Sequence, residues 1–309
     1  MNCILCSQET VIDLNSLNDL EYNTPGQYDF RICHKCSIIS ISPLLDQKGL
    51  EALYPPNYHG FNTNSNFLIS KLYSLVYYFR FKKYSKYLES ENPSLLDVGC
   101  ADATYFKNLS RKVKNLTCYG VENNAEIVDK AKKDGLSIFL GTIDDVPSNL
   151  SFDLIIMNNL IEHVIAPLED LKTARRLLKP SGKIFLETPN TDSWDFKIMR
   201  KYWGGLHTPR HTFLFNPKSF SELSKEAKLS LQTIFFPINT DHWALSIQNY
   251  LQTNKLLKCN LKNGRAWYFK YLLFLFIPLN LIQKIFGKTG SMEIILSNEQ
   301  YNKNSRCSL

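Results

Sequence analysis

The polarity of the chain changes rhythm at short intervals between about residue 66 and residue 240. Near-continuous apolar runs of strand length read SLLDV (94–98), LTCYGVE (116–122), LSIFL (136–140), FDLIIMN (152–158) and GKIFLETPN (182–190). Such runs predict strands covered on both faces. Between them apolar residues fall three and four apart, which predicts helices over 66–90, 104–112, 125–135, 167–179 and 219–228. Gly135 closes the third of these and Pro167 opens the fourth, where each residue suits a helix end. LQTIFFPI (231–238) and MEIILSN (292–298) add two strands. The expected fold class is α/β: seven strands in a mostly parallel sheet with helices on both faces.

Three stretches follow: 1–65, Cys-paired and poor in periodic structure; 66–240, the alternating block; and 241–309, an aromatic-rich apolar run with a strand and a polar tail. With 44% hydrophobic and 21% charged residues, the 309-residue chain has the make-up of a folded globular protein, which excludes a disordered or wholly membrane-embedded one. Lys and Arg number 36 against 29 Asp and Glu, and this formal charge of +7 favours anionic partners without naming one.

The start, MNCILCSQET, has neither the basic nor the long apolar region of a secretory signal, so a cytoplasmic location with reduced thiols is expected. Eight cysteines then point to metal binding or burial rather than disulfides. Cys3-x2-Cys6 and Cys33-x2-Cys36 form two knuckles with the spacing of a closed tetrahedral zinc site, which makes a structural Zn²⁺ the expectation. Cys100, Cys118 and Cys259 sit in apolar or isolated settings, and Cys307 lies in the polar tail.

The turn after the first strand of the block reads LLDVGCADATYF (95–106). In doubly wound sheets the ligand sits where this strand feeds a glycine turn and a helix. Gly99 lets the backbone bend, but Ala101 and Ala103 stand where a dinucleotide turn would carry glycine, so a pyrophosphate fits less well than a ligand without phosphate. An alanine here is expected to avoid positive φ. Glu122, after the second strand, is placed to accept hydrogen bonds from both ribose hydroxyls of a nucleoside.

LLDVGC (95–100), GVE (120–122), GTIDD (141–145), FDLIIMNNLIEHV (152–164), LKPSG (178–182) and ETPN (187–190) occur in an order and spacing that resembles the class I S-adenosylmethionine (SAM) dependent methyltransferases. The resemblance covers roughly 95–215 and implies a Rossmann-like sheet with SAM as cofactor. It places Asp97, Gly99 and Ala101 along the methionine part of SAM and Glu122 at the ribose. Thr142, Ile143 and Asp144 would flank the adenine, with Asn158 and Asn159 closing over the sulfonium. Ala101 and Ser181 depart from the family's glycines.

The cysteine knuckles followed by YPPNY (54–58) are similar to a subset that methylates sugars, small glycans and natural products, deoxysugar C-methyltransferases included. That likeness implies a zinc module over the cleft, with Tyr54 and Tyr58 at the acceptor pocket. The stretch after the second knuckle carries few basic residues, so nucleic acid is not the expected partner.

Methyl transfer needs an aligned acceptor and a base for one proton. Glu162 and His163 follow the fourth strand, on the cofactor's rim, and an imidazole suits that base. His207 and His211, in WGGLHTPRHTFLF (203–215), are further catalytic candidates, and Arg210 could take a phosphate if the acceptor is a nucleotide sugar. Binding of a metal by His207 and His211 is set aside for want of a third ligand.

AWYFKYLLFLFIPLNLIQKIFG (266–287) is broken by Pro278, Asn280, Gln283 and Lys284 and is too short to span a bilayer. It reads as a lid or core helix, or as an interfacial helix flanked by Lys270, Lys284 and Lys288 that brings the chain to the inner membrane face and a lipid-linked substrate. Three rivals remain. A sugar dehydratase would need more glycine and a Tyr-x3-Lys, and a nucleic-acid methyltransferase a different motif after strand four. A zinc-bearing adaptor with a degenerate methyltransferase domain would bind no SAM.

Overall fold

A computed structural model describes residues 1–54, 82–101, 103, 109, 112–257 and 260–299. Tyr58, Cys259, Cys307, most of the helix expected over 66–90 and nearly all of that over 104–112 lie outside the described residues.

The main sheet contains the seven expected strands. They are β4 (Ser94–Val98), β5 (Thr117–Glu122), β6 (Ile138–Leu140), β7 (Phe152–Asn158), β8 (Leu178–Pro189), β10 (Leu229–Phe235) and β11 (Ser291–Asn298). Their spatial order is β10-β11-β8-β7-β4-β5-β6. The neighbours from β8 to β6 run parallel, and β11 is antiparallel to both β8 and β10. The order reverses between β4 and β7, so the carboxyl ends of those two strands frame the crevice where such sheets take ligands.

Central β7 is buried from Phe152 through Met157, which explains why its sequence is apolar without alternation. Asp153, one residue into that strand, accepts hydrogen bonds from the Ser94 N–H at 2.8 Å and from Lys179 Nζ at 2.6 Å. One carboxylate thereby pins the entry ends of β4, β7 and β8. The sheet is covered by α2 (Ala125–Lys133), α3 (Pro167–Arg176) and α5 (Pro217–Glu226), whose buried residues face inward one turn apart. α4 (Trp194–Met199) precedes α5 in the chain and α6 (Asp241–Thr253) follows it. Asn124 caps α2, and Asn216 with Ser219 forms a reciprocal cap on α5.

The amino-terminal stretch is more regular than its sequence suggests. β1 (Val11–Leu17), β2 (Tyr28–Ile32) and β3 (Ile39–Ser42) form an antiparallel sheet followed by α1 (Gln47–Glu51). They escape the pattern because β1 is largely exposed and twice irregular in register, so its polarity never settles into alternation. A fourth strand, β9 (Phe213–Leu214), comes from the alternating block and pairs with β3 through Ile39–Leu214 and Ser40–Phe213. The cysteine-bearing stretch and the main domain therefore share a sheet.

The same junction is tied by charge. Arg210 donates to both carboxylate oxygens of Asp19, at 2.8 and 3.0 Å, and each side chain has 0% exposure. Burial alone would raise the Asp19 carboxyl, but the hydrogen bonds and charge of Arg210 outweigh it and hold the group below its ordinary value. Beside this pair, Glu21 accepts from His207 Nδ1 and from Arg265 Nη1, the latter at 2.6 Å. Removing one member of a buried pair strands its partner charge. Asp19→Ala is expected to lower the unfolding free energy by about 3–5 kcal/mol in urea, against less than about 1 kcal/mol for Glu169→Ala in the exposed Glu169–Lys172 pair. Because the folded Asp19 value lies below the unfolded one, this stabilisation is complete above about pH 4 and is lost as pH falls further.

Candidate active site

The turn after β4 bends sharply at Gly99. Gly99 has φ +73°, and its N–H donates to the Val121 carbonyl at 2.8 Å. A side chain there would meet Leu160 Cδ1 at 3.1 Å as well as the strain of the left-handed region. Ala101, expected to avoid positive φ, instead has φ +47°, and Ala103 has φ +55°. The reason is local: the Ala101 N–H turns inward to donate to Glu122 Oε2 at 3.0 Å, and a methyl group is the smallest load a left-handed residue can carry.

Glu122 also accepts from the Asn124 N–H at 3.1 Å, so its carboxylate is aimed at the turn with acceptor capacity remaining. Asp97 is buried at the end of β4. Asn158 ends β7 with its amide donating to Tyr84 at 3.0 Å, and Asn159 follows at φ +48°. Asp97, Gly99, Ala101, Glu122, Asn158 and Asn159 thus all lie at the carboxyl ends of three neighbouring strands. Thr142 caps a short helical turn in which Ile143 is buried, and Asp144 accepts from Thr173 of α3 at 2.7 Å. That turn follows β6 at the sheet's edge.

Histidines gather on the same rim. The ring of His163 lies 4.5 Å from that of His211 and 6.1 Å from that of His207, and Tyr54 Oη is 2.9 Å from His163 Nδ1. His163 Nδ1 also faces the Arg210 carbonyl at 3.2 Å, and His211 Nδ1 faces the Gly205 carbonyl at 2.8 Å. A carbonyl can only accept, so His211 Nδ1 carries the hydrogen and its Nε2 presents the lone pair, while His163 Nδ1 can donate to the Arg210 carbonyl or accept from Tyr54 Oη. Burial, reinforced by the neighbouring histidines, holds His211 well below the ordinary histidine value, which keeps it neutral. Glu162 is fully buried, accepts from Thr188 Oγ1 at 3.0 Å and is pushed up to about 8 by burial, so at neutral pH it mostly holds its proton.

Two expectations change here. Arg210 is no phosphate ligand, because both of its terminal nitrogens are committed to Asp19 inside the protein. His207 is held by Glu21 and takes φ +43°, a strained position fixed by its surroundings. The reason given against a metal also needs revision: Glu162, His163 and His211 place ligand-type atoms within 4.8 Å of one another, a set drawn from two segments that spacing alone does not reveal.

Asp19, Glu21 and Thr212 were not among the sequence candidates. Thr212 donates through N–H and Oγ1 to the Glu162 carbonyl, at 2.8 and 3.0 Å, which stitches the histidine loop to the turn after β7. Both acids lie in the turn after β1, where no periodic pattern singles them out in the sequence.

The four amino-terminal cysteines converge. Cys3 and Cys36 sulfurs lie 3.3 Å apart, Cys6 and Cys33 sulfurs 3.5 Å apart, and all four fall within 4.8 Å. A tetrahedral ion with metal–sulfur bonds of about 2.3 Å has sulfur–sulfur edges of about 3.8 Å, which this cluster brackets. Burial alone would raise the Cys33 thiol, yet the Cys36 N–H and the adjoining thiols bring it down to about 7, whereas burial raises the Cys3 and Cys36 thiols.

Residues 76–234 match a family described as a methyltransferase domain, half of the chain. The chain belongs to this methyltransferase-domain family. It is similar to the mitochondrial ubiquinone biosynthesis O-methyltransferase of Candida albicans, with 30% identity over 118 residues, covering 35% of this chain and 36% of that protein. The ubiquinone biosynthesis O-methyltransferase of Actinobacillus pleuropneumoniae serotype 7 is 32% identical over 146 residues, covering 43% of this chain and 59% of the relative. The chain thus spans about a third to three fifths of these relatives' lengths. A crystal structure from Galdieria sulphuraria, described as a sarcosine dimethylglycine methyltransferase, matches with a TM-score of 0.53 at 14% identity, over 79% of this chain and 91% of that one, a likeness of fold. The methyltransferase domain here thus carries an added cysteine-bearing sheet completed by its own β9.

Proposed function

We propose that this protein transfers the methyl group of SAM to a hydroxyl of a small-molecule acceptor, with His163 removing the proton. The observation that carries this reading is the placement of His163 and His211, each with Nδ1 on a backbone carbonyl, on the rim that also bears Glu122 and the Gly99 turn. In SAM, the sulfonium activates the methyl carbon. Asp97, Gly99 and Ala101 would border its methionine part, Glu122 would accept from the ribose hydroxyls, and Thr142, Ile143 and Asp144 would flank the adenine, with Asn158 and Asn159 near the sulfonium.

The protein's part is alignment and proton removal. His163 Nε2 would take the proton from the acceptor hydroxyl, while Tyr54 and the Arg210 carbonyl hold the ring. Burial keeps Tyr54 a neutral phenol. Glu162, protonated at neutral pH, adds no charge that would compete for the proton.

The sugar acceptor inferred from sequence remains our reading, in lipid-linked rather than nucleotide-linked form, because the arginine that would grip a nucleotide's phosphates is committed elsewhere. A phenolic acceptor is the second reading, supported by the relatives named as ubiquinone biosynthesis O-methyltransferases. Incubation with SAM and a panel of lipid-linked glycans, nucleotide sugars and phenols, read by mass spectrometry, is expected to add one methyl group to a glycan. His163→Ala should lower kcat by about 10²–10⁴-fold with SAM affinity retained in calorimetry. Wild-type transfer rates in that variant contradict the base assignment, and absence of SAM binding by folded wild-type protein contradicts the whole reading.

The cysteine cluster is proposed to hold one structural Zn²⁺, since four thiols leave no position for water or substrate. Elemental analysis should find one zinc per chain, absent in Cys33→Ser. Chelation should release the amino-terminal sheet to proteolysis, and a chain that is metal-free yet equally protected rules this out.

A further inference from the structure

Helix α8 (Ile277–Ile285) is inverted with respect to water. Its polar residues Asn280 and Gln283 have 0% exposure, whereas Ile285 is 80% exposed and Leu281 and Ile282 nearly half exposed. The buried pair is fully used. Asn280 exchanges hydrogen bonds with the Asn239 backbone at 2.8 and 3.1 Å, and Gln283 accepts from Trp243 Nε1 at 2.8 Å while donating to Asp195 Oδ1 at 3.0 Å. The orientation of α8 is thus set by directional bonds and stacking of Phe276 on Trp243, and its apolar residues are left outside.

The preceding helix, α7 (Phe269–Leu275), is joined to α8 through Phe276 alone and also exposes apolar side chains. Phe274 is 70% exposed, Leu275 67%, and Trp267 just before the helix 69%. Large apolar side chains concentrated on two short consecutive helices exceed the scattered exposure normal to a soluble surface.

Charge names the occupant. From 242 to 292 the chain carries six lysines and one arginine and no Asp or Glu. Lys255, Lys262, Lys270 and Lys284 are exposed. A second copy would bring the same cations against themselves, whereas a bilayer with anionic headgroups satisfies both the apolar face and the lysines, with Trp267 and Tyr271 at the headgroup level where such rings settle. No helix among the described residues is long and apolar enough to cross a membrane, so the contact is interfacial.

We propose that the consecutive helices α7 and α8 dock on the surface of an anionic phospholipid bilayer, inserting Trp267, Phe274, Leu275 and Ile285 to the depth of the headgroups. This deepens the reading of a lipid-linked acceptor, yet its test does not depend on methyl transfer. The full chain is sedimented with vesicles of phosphatidylcholine, with or without phosphatidylglycerol, while Trp267 emission is followed. Binding is expected to phosphatidylglycerol vesicles, with a blue shift absent in Trp267→Phe, and to weaken with salt. The double substitution Phe274→Asp, Ile285→Asp, at exposed sites, should reduce binding by at least about tenfold without altering circular dichroism or SAM affinity.

Equal binding to both vesicle types overturns the anionic requirement. Protein that stays in solution with either vesicle overturns the proposal, and if it is a dimer in ultracentrifugation that the double variant splits, the face is a subunit interface. Either failure leaves the methyl-transfer reading standing, because that is judged by SAM binding and mass gain.

Discussion

A carboxylate and a guanidinium sealed from water, Asp19 and Arg210, hold the amino-terminal sheet to the loop that carries the histidines. Such a pair tolerates little displacement, because separation leaves each charge in a medium that cannot solvate it. The geometry of the rim follows. With Arg210 fixed, its carbonyl faces His163; with Glu21 beside it, His207 is fixed; and Thr212, two residues on, joins the loop to Glu162 before β9 enters the amino-terminal sheet. The four cysteines converge in the same amino-terminal stretch that presents Asp19 and Glu21.

The main sheet was legible because its strands are buried on both faces and its helices on one, so periodicity alone separates them. FDLIIMN announces a central strand, and Pro167 and Gly135 mark helix ends. The bend at Gly99 was legible for a related reason: the residues that shape a strand-end turn are neighbours in sequence. The cysteines were legible from spacing alone.

What the sequence hid depends on partners far away in the chain. Arg210 looks like a free phosphate ligand until Asp19, 191 residues earlier, is found against it. β9 has two residues and no pattern, and exists only because β3 offers an edge. The Glu162, His163 and His211 cluster joins segments whose nearest members are 48 residues apart, so spacing could not propose it. In α8 the helical period was readable, but the face turned inward was not, because hydrogen bonds with Asn239, Trp243 and Asp195 overrode the hydrophobic preference.

The central claim is that the amino-terminal sheet sets the chemistry through the fork on Arg210. It is tested most directly by measuring SAM affinity and methyl transfer on one preparation of Arg210→Lys, which keeps the charge and loses the bidentate geometry. The account predicts SAM affinity within about twofold of wild type and transfer reduced by at least about tenfold, since a base displaced by about 1 Å loses much of its effect. Unchanged transfer in the folded variant, or loss of SAM affinity in step with transfer, would contradict it.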